Sequence, residues 1–136
     1  MENILREVLL DHVKNPKNKK EIANPDLSGH SNNPVCGDVV KVDLEIENEI
    51  VVDVAINGQG CAVSQASMSI FSEEIKGLSL KDIKEKIKQF KSLLGTSETG
   101  EVTMLSEEAK VLKFLEGNPS KIRCALLSWS AIEEVV

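Results

Sequence analysis

Tyrosine is absent from this chain, tryptophan occurs once and phenylalanine three times. A core with so few rings must be filled by aliphatic side chains. Long apolar runs are also missing: none approaches the roughly 20 residues that a membrane-spanning helix needs. The amino terminus opens on Met1-Glu2 with no basic segment ahead of an apolar one, so a cytoplasmic protein without a membrane partner is expected. Positive charge is in deficit, with a net charge of -6 and lysines scattered among carboxylates except in the run Lys17 to Lys20. Such a surface repels phosphate backbones, which excludes nucleic acid as the expected partner. Cysteine is scarce and odd in number, three residues with no CxxC pair, so a disulfide framework would leave one over. The two histidines, His12 and His30, have no ligand-type neighbour at a useful spacing and are expected to be solvated.

What remains is enough for one domain, expected to span 1–136, and too little for two. Its centre is Asn33-Pro34-Val35-Cys36-Gly37-Asp38, where a thiol and a carboxylate stand two residues apart. In an extended segment those side chains share a face, which makes them candidate metal ligands. Alternation of Val40, Val42, Leu44 and Ile46 with Lys41, Asp43 and Glu45 predicts a strand, and Ile50, Val52, Val54 and Ile56 predict its partner. Matching the apolar faces sets Ile46 opposite Ile50 across a three-residue loop, Glu47-Asn48-Glu49, with Leu44 facing Val52 and Val40 facing Ile56. Extended, that register places Asp38 opposite Gly58 and Cys36 opposite Gly60, bringing both near Cys61.

Helical spacing is found in residues 3–14, which Asn15-Pro16 ends, and from Ala62 to Lys76, where Cys61 stands at the amino-terminal end. The helix dipole and free N–H groups there favour a thiolate. Ala62, Ser64, Ala66, Ser67 and Ser69 read as packing. Ser79 is expected to cap a helix that buries Leu80, Ile83, Ile87 and Phe90 and turns Lys81, Lys84, Lys86, Lys88 and Lys91 to water. A short strand is expected around Asp26 to His30, a mobile loop over Leu94 to Glu101, and a short helix from Ser106 through Leu115. A last helix follows Asn118-Pro119 to the carboxyl end, with Cys124, Leu127, Ala131 and Val135 on its inner face. The cysteines can be read as three small buried hydrophobes or as one shared site. Three thiolates and a carboxylate, Cys36, Cys61, Cys124 and Asp38, would suit a tetrahedral zinc ion, or iron with bridging sulfide.

Four segments together resemble the IscU/NifU-amino-terminal/SufU family of iron-sulfur cluster assembly proteins. They are Asp11-His12-Val13-Lys14-Asn15-Pro16-Lys17-Asn18, Asn33-Pro34-Val35-Cys36-Gly37-Asp38, Gly58-Gln59-Gly60-Cys61-Ala62-Val63-Ser64-Gln65-Ala66-Ser67 and Lys121-Ile122-Arg123-Cys124-Ala125. The resemblance implies an α+β fold, a small antiparallel β-sheet covered by helices, and a metal site of Cys36, Asp38, Cys61 and Cys124. Arg123 stands where the scaffold branch has a histidine, the connection between Cys61 and Cys124 is longer, and Gly117-Asn118-Pro119-Ser120-Lys121 replaces a double-proline chaperone motif. These features resemble the SufU branch. That likeness implies a zinc-dependent acceptor of persulfide sulfur from a pyridoxal-phosphate cysteine desulfurase of the SufS type, with sulfur passed on to assembly or apo-proteins. The desulfurase would lend the zinc a ligand and free Cys36 as the acceptor, while Asp38 tunes the metal and Arg123 steadies the incoming sulfur. The alternative is a scaffold that binds iron and builds a [2Fe-2S] cluster on the same residues. A zinc-stapled domain fits the ligand count but not the family segments.

Overall fold

A computed structural model describes residues 2–96 and 100–136. Its elements are α1 (Glu2–Lys14), β1 (Leu27–Asn33), β2 (Asp38–Glu47), β3 (Ile50–Gln59), α2 (Ala62–Ile75), α3 (Leu80–Leu93), α4 (Glu107–Val111), a 3-10 turn (Leu112–Leu115) and α5 (Pro119–Glu133). The strands form one antiparallel sheet in the order β1-β2-β3, the α+β arrangement expected. Val40, Val42 and Leu44 of β2 and Val54 and Ile56 of β3 are fully buried, and α2 and α5 pack over the sheet. Further out, α1 and α4 pack against α2, and α3 against α5.

The few aromatic rings are concentrated where the helices meet. Trp129 of α5 stacks on Phe90 of α3 with centroids 3.8 Å apart, and Phe71 of α2 lies 4.6 Å away on another side. The indole N–H donates to Ser67 Oγ at 3.1 Å, and that hydroxyl donates to Ala125 O at 2.6 Å, so both of these buried donors are satisfied. The backbone of α5 lies directly on β1: a Cβ on Gly29 would collide with Ala131 O and come within 2.8 Å of its carbonyl carbon. This close seating fixes where Cys124 stands relative to the sheet.

The hairpin differs from its expected register. The loop is two residues, Asn48 and Glu49, both left-handed at φ 51° and 65°, a turn whose twist matches that of its strands. Glu47 therefore pairs with Ile50 and Ile46 with Val51. Continued unchanged, that register would set Leu44 against Asp53. A bulge at Val52 adds one residue, so that Leu44 faces Val54 and Val42 faces Ile56. Val51 is buried in consequence, and Val52, expected inside, is 40% exposed. Beyond Val39, which pairs with Gln59, the register runs Asp38 toward Gly60 rather than Gly58.

Other expectations are corrected in detail. The first strand runs Leu27–Asn33, and α5 ends at Glu133 short of the carboxyl end. Ser79 does cap α3, accepting from Asp82 N at 3.1 Å, and Ile83, Ile87 and Phe90 are buried, but Leu80 is only half-buried. Lys86 is not on the wet face: its Nζ donates to Glu74 O at 2.7 Å and lies 3.7 Å from the buried Glu74 carboxylate. His12 is buried rather than solvated, bonded to Ser69 Oγ through Nδ1 at 2.7 Å and to Glu108 through Nε2 at 3.0 Å. It staples α1 to α2 and α4. The loop expected over Leu94 to Glu101 includes residues 97–99, which lie outside the described residues, while Leu94 itself is buried against the core.

Candidate metal centre

Three of the four expected ligands converge. Asp38 opens β2, Cys61 is the residue before the first turn of α2, and Cys124 lies in the early turns of α5. One ligand atom from each lies within 4.8 Å of the other two. Asp38 and Cys124 are each only 2% exposed, and Cys61 is half-buried. Asp38 Oδ1 accepts the Cys61 backbone N–H at 3.1 Å, one of the N–H groups a helix start leaves unpaired, and Oδ2 lies 3.7 Å from Cys61 Sγ. Ser64, one turn along α2, donates to Cys61 O at 3.1 Å and places its oxygen 3.9 Å from Cys61 Sγ. Gly60 is required by closeness: a Cβ there would meet Ser64 Oγ and lie 2.6 Å from Asp38 Oδ1.

Two thiols and a carboxylate at this spacing fit a tetrahedral ion with thiolate and oxygen ligands. Burial pushes the Cys124 thiol far above its ordinary range, and the adjoining Asp38 and Cys61 push the same way. No Lys, Arg or His pairs with Asp38 among the described residues. A cation is the group that would let the trio hold its anionic form, because a buried anion without a counter-charge is costly.

Cys36 stands apart. It is exposed, in the turn between β1 and β2, and its thiol is not among the atoms that converge. That turn is held by Gly37 N donating to Asn33 O at 2.7 Å and Val35 N donating to Asn33 Oδ1 at 3.1 Å. Gly37 is left-handed at φ 76°, a conformation that favours glycine. Arg123 is exposed on α5 and lines the groove between α5 and the end of β1. A second cluster, Asp11, His12 and Glu108, also gathers within 4.8 Å, but both His12 ring nitrogens already have protein partners.

A family model described as the NifU-like N terminal domain matches residues 4–110, which include Cys36, Asp38 and Cys61. The chain belongs to the NifU-like N-terminal family. This NifU-like chain is 32% identical over 136 residues to the zinc-dependent sulfurtransferase SufU of Bacillus subtilis (strain 168), covering 100% of itself and 91% of that protein. It is 31% identical to the iron-sulfur cluster assembly scaffold protein IscU of Streptococcus pyogenes serotype M1, over 95% of this chain and 80% of the relative. Its fold matches the crystal structure of a putative iron-sulfur cluster assembly scaffold protein for the SUF system from Fervidobacterium islandicum AW-1. The TM-score is 0.87 at 27% identity, covering 97% and 96% of the two chains.

Sequence reasoning missed Ser64, which it placed among packing residues; its position three residues after Cys61, at a helix start, was the available signal. Gly60 is expected from the sequence only as the residue opposite Cys36, not as a neighbour of Asp38 and Ser64. Its spatial role depends on the bulge at Val52, which no alternation pattern announces.

Proposed function

We propose that this NifU-like protein serves iron-sulfur cluster assembly as a zinc-dependent sulfur acceptor that works with a pyridoxal-phosphate cysteine desulfurase. The observation that carries the proposal is the division of the ligand set: Asp38, Cys61 and Cys124 are gathered and largely buried, while Cys36 is exposed on a turn of its own. The trio fits a fixed metal hold, and the exposed thiol fits an acceptor that must meet another protein. The name of the Bacillus subtilis relative, a zinc-dependent sulfurtransferase, supports the same assignment.

Zinc bound to Asp38, Cys61, Cys124 and Cys36 would supply thiolates at neutral pH. In transfer, the Cys36 thiolate attacks the outer sulfur of the enzyme's cysteine persulfide. A new S–S bond forms on Cys36, the donor's S–S bond breaks, and the donor cysteine leaves as thiolate. The exchange involves no net oxidation. Arg123, exposed and lining the groove that Asn33 and Pro34 of this turn also line, offers a fixed positive charge to the anionic sulfur.

The scaffold function, with a [2Fe-2S] cluster on the same residues, is the second reading, favoured by the scaffold names of the Streptococcus and Fervidobacterium relatives. Metal content of protein purified without added metal separates the two. About one zinc per chain, no visible colour and a desulfurase stimulated only by the zinc form are expected. A brown protein carrying iron and sulfide, able to load an apo-acceptor without zinc, would establish the scaffold instead.

Gly60→Ala tests the metal hold separately. The added methyl must displace the Asp38 carboxylate from the Cys61 N–H, so zinc affinity is expected to fall by about 10–100-fold while the protein stays folded. Competition with a chromophoric chelator reads the change; unaltered affinity would remove Asp38 from the ligand set.

A further inference from the structure

The turn that carries Cys36 begins at a buried amide with a free donor. Asn33 is only 5% exposed, and its Oδ1 is committed to Val35 N at 3.1 Å, which leaves Nδ2 on the other side of the amide. That Nδ2 is buried and has no acceptor among the described residues. Nearly all such groups in folded proteins are satisfied, so an unpaired one beside a functional residue marks a place where an acceptor arrives.

Asn33 lines a groove of about 290 Å³ between the end of β1 and α5. Pro34, two residues before Cys36 in the chain, is part of its lining, Arg123 and Ser130 add polar groups, and Leu126 and Leu127 provide apolar wall. Among the described residues no carboxylate lines it, although the chain as a whole carries a net charge of -6. An amide N–H and a guanidinium, both donors only, recognise acceptor oxygens. The volume is small for a metabolite site and suits a short length of peptide.

We propose that this groove seats the extended peptide segment bearing the donor's persulfide cysteine, with a main-chain carbonyl accepting from Asn33 Nδ2 and another from Arg123. The assignment rests on the sulfur-acceptor reading and adds its docking site. A segment held there lies against Pro34, two residues before Cys36, so seating it brings donor sulfur and acceptor thiol into one neighbourhood. The apolar wall takes an aliphatic side chain of the same segment. Asn33 is thus a positioning residue: it acts on how the partner is held, and the bond chemistry stays with Cys36.

The test uses the two functions of the Asn33 side chain. Asn33→Asp keeps the acceptor that holds Val35 N but turns a donor into an oxygen that faces the partner's oxygen. Asn33→Ser supplies one hydroxyl able to accept in the turn and to donate outward. Desulfurase turnover of L-cysteine is measured against increasing concentrations of the zinc-loaded protein. Asn33→Asp is expected to raise the half-saturating concentration at least about tenfold with kcat within about threefold of wild type, and Asn33→Ser to stay within about threefold on both. Should the Asp variant fail to fold, Asn33→Ala must show the rise and Ser must restore it. Half-saturation unchanged in Asp and Ala, or a fall confined to kcat, overturns the docking site and leaves the acceptor reading standing. A wild-type protein that neither stimulates the desulfurase nor gains sulfur on Cys36 overturns both.

Discussion

Serine in place of Cys36 is expected to abolish sulfur acceptance and leave the fold intact. The side chain is exposed and makes no contribution to the buried core, so the exchange of sulfur for oxygen removes no packing. What it removes is the nucleophile: a thiol ionises readily enough to attack a persulfide near neutral pH, and a serine hydroxyl without an activating base does not. Sulfur gained per chain, read by mass spectrometry after incubation with desulfurase and L-cysteine, should fall to background, while the thermal midpoint changes little. Cys124→Ser should behave in the opposite way, losing zinc and stability together, because Cys124 is 2% exposed and packed among core residues. A Cys36→Ser protein that accepts sulfur at the wild-type level would transfer the acceptor role to Cys61 or Cys124.

Lys86→Met is expected to destabilise the protein by about 3–5 kcal/mol, the cost of removing one partner of a buried ion pair. Lys86 Nζ donates to Glu74 O at 2.7 Å and lies 3.7 Å from Glu74 Oε2, with side chains 11% and 7% exposed. The other Glu74 oxygen accepts from Ser106 N at 2.9 Å, so the pair joins α2, α3 and the start of α4. Without the ammonium group, the carboxylate is left buried with a single backbone donor. The double variant Lys86→Met with Glu74→Leu removes both charges and should recover most of the loss, apart from the Ser106 bond. Denaturant melts of the two variants decide it: equal destabilisation would mean that the hydrogen bond from Lys86 Nζ to Glu74 O, lost in both, matters and the charge pairing does not. Zinc content should be unaffected in either protein, since the pair lies outside the trio.

The reading of the sequence succeeded where one periodic signal dominated. Alternation located β2 and β3, the Ser79 cap located the start of α3, and the helix-start position of Cys61 was legible from the helical spacing that begins at Ala62. The register failed for a definite reason. A two-residue turn with a bulge at Val52 keeps Val40, Val42, Leu44, Val54 and Ile56 inside, as a three-residue loop without a bulge would, but it changes the partner of each residue and buries Val51 in place of Val52. Lys86 and His12 failed for another reason: each belongs by type to the surface and is held inside by a partner remote in sequence, Glu74 in one case and Ser69 with Glu108 in the other. Of the proposed ligand set, Asp38, Cys61 and Cys124 were named from motif and spacing, and the fold gathers them. The separation of Cys36 from them was not foreseen, because alternation says nothing of the tight turn ahead of β2, where Asn33 pairs with Asp38 and Gly37 N bonds back to Asn33 O, so that Cys36 lies outside the strand pairing.

The trio takes one residue from the start of β2, one from the start of α2 and one from α5, the last element along the chain. Synthesis proceeds from the amino terminus, so Asp38 and Cys61 leave the ribosome well before Cys124. During that interval the nascent chain offers one carboxylate and two thiols, Cys36 and Cys61, without the buried third thiol that closes the site. A chain interrupted before α5 lacks Cys124 and also Trp129, the residue that joins α2 and α3 in the core. Completeness of the trio and completeness of the core therefore both wait on α5, the last element to be made.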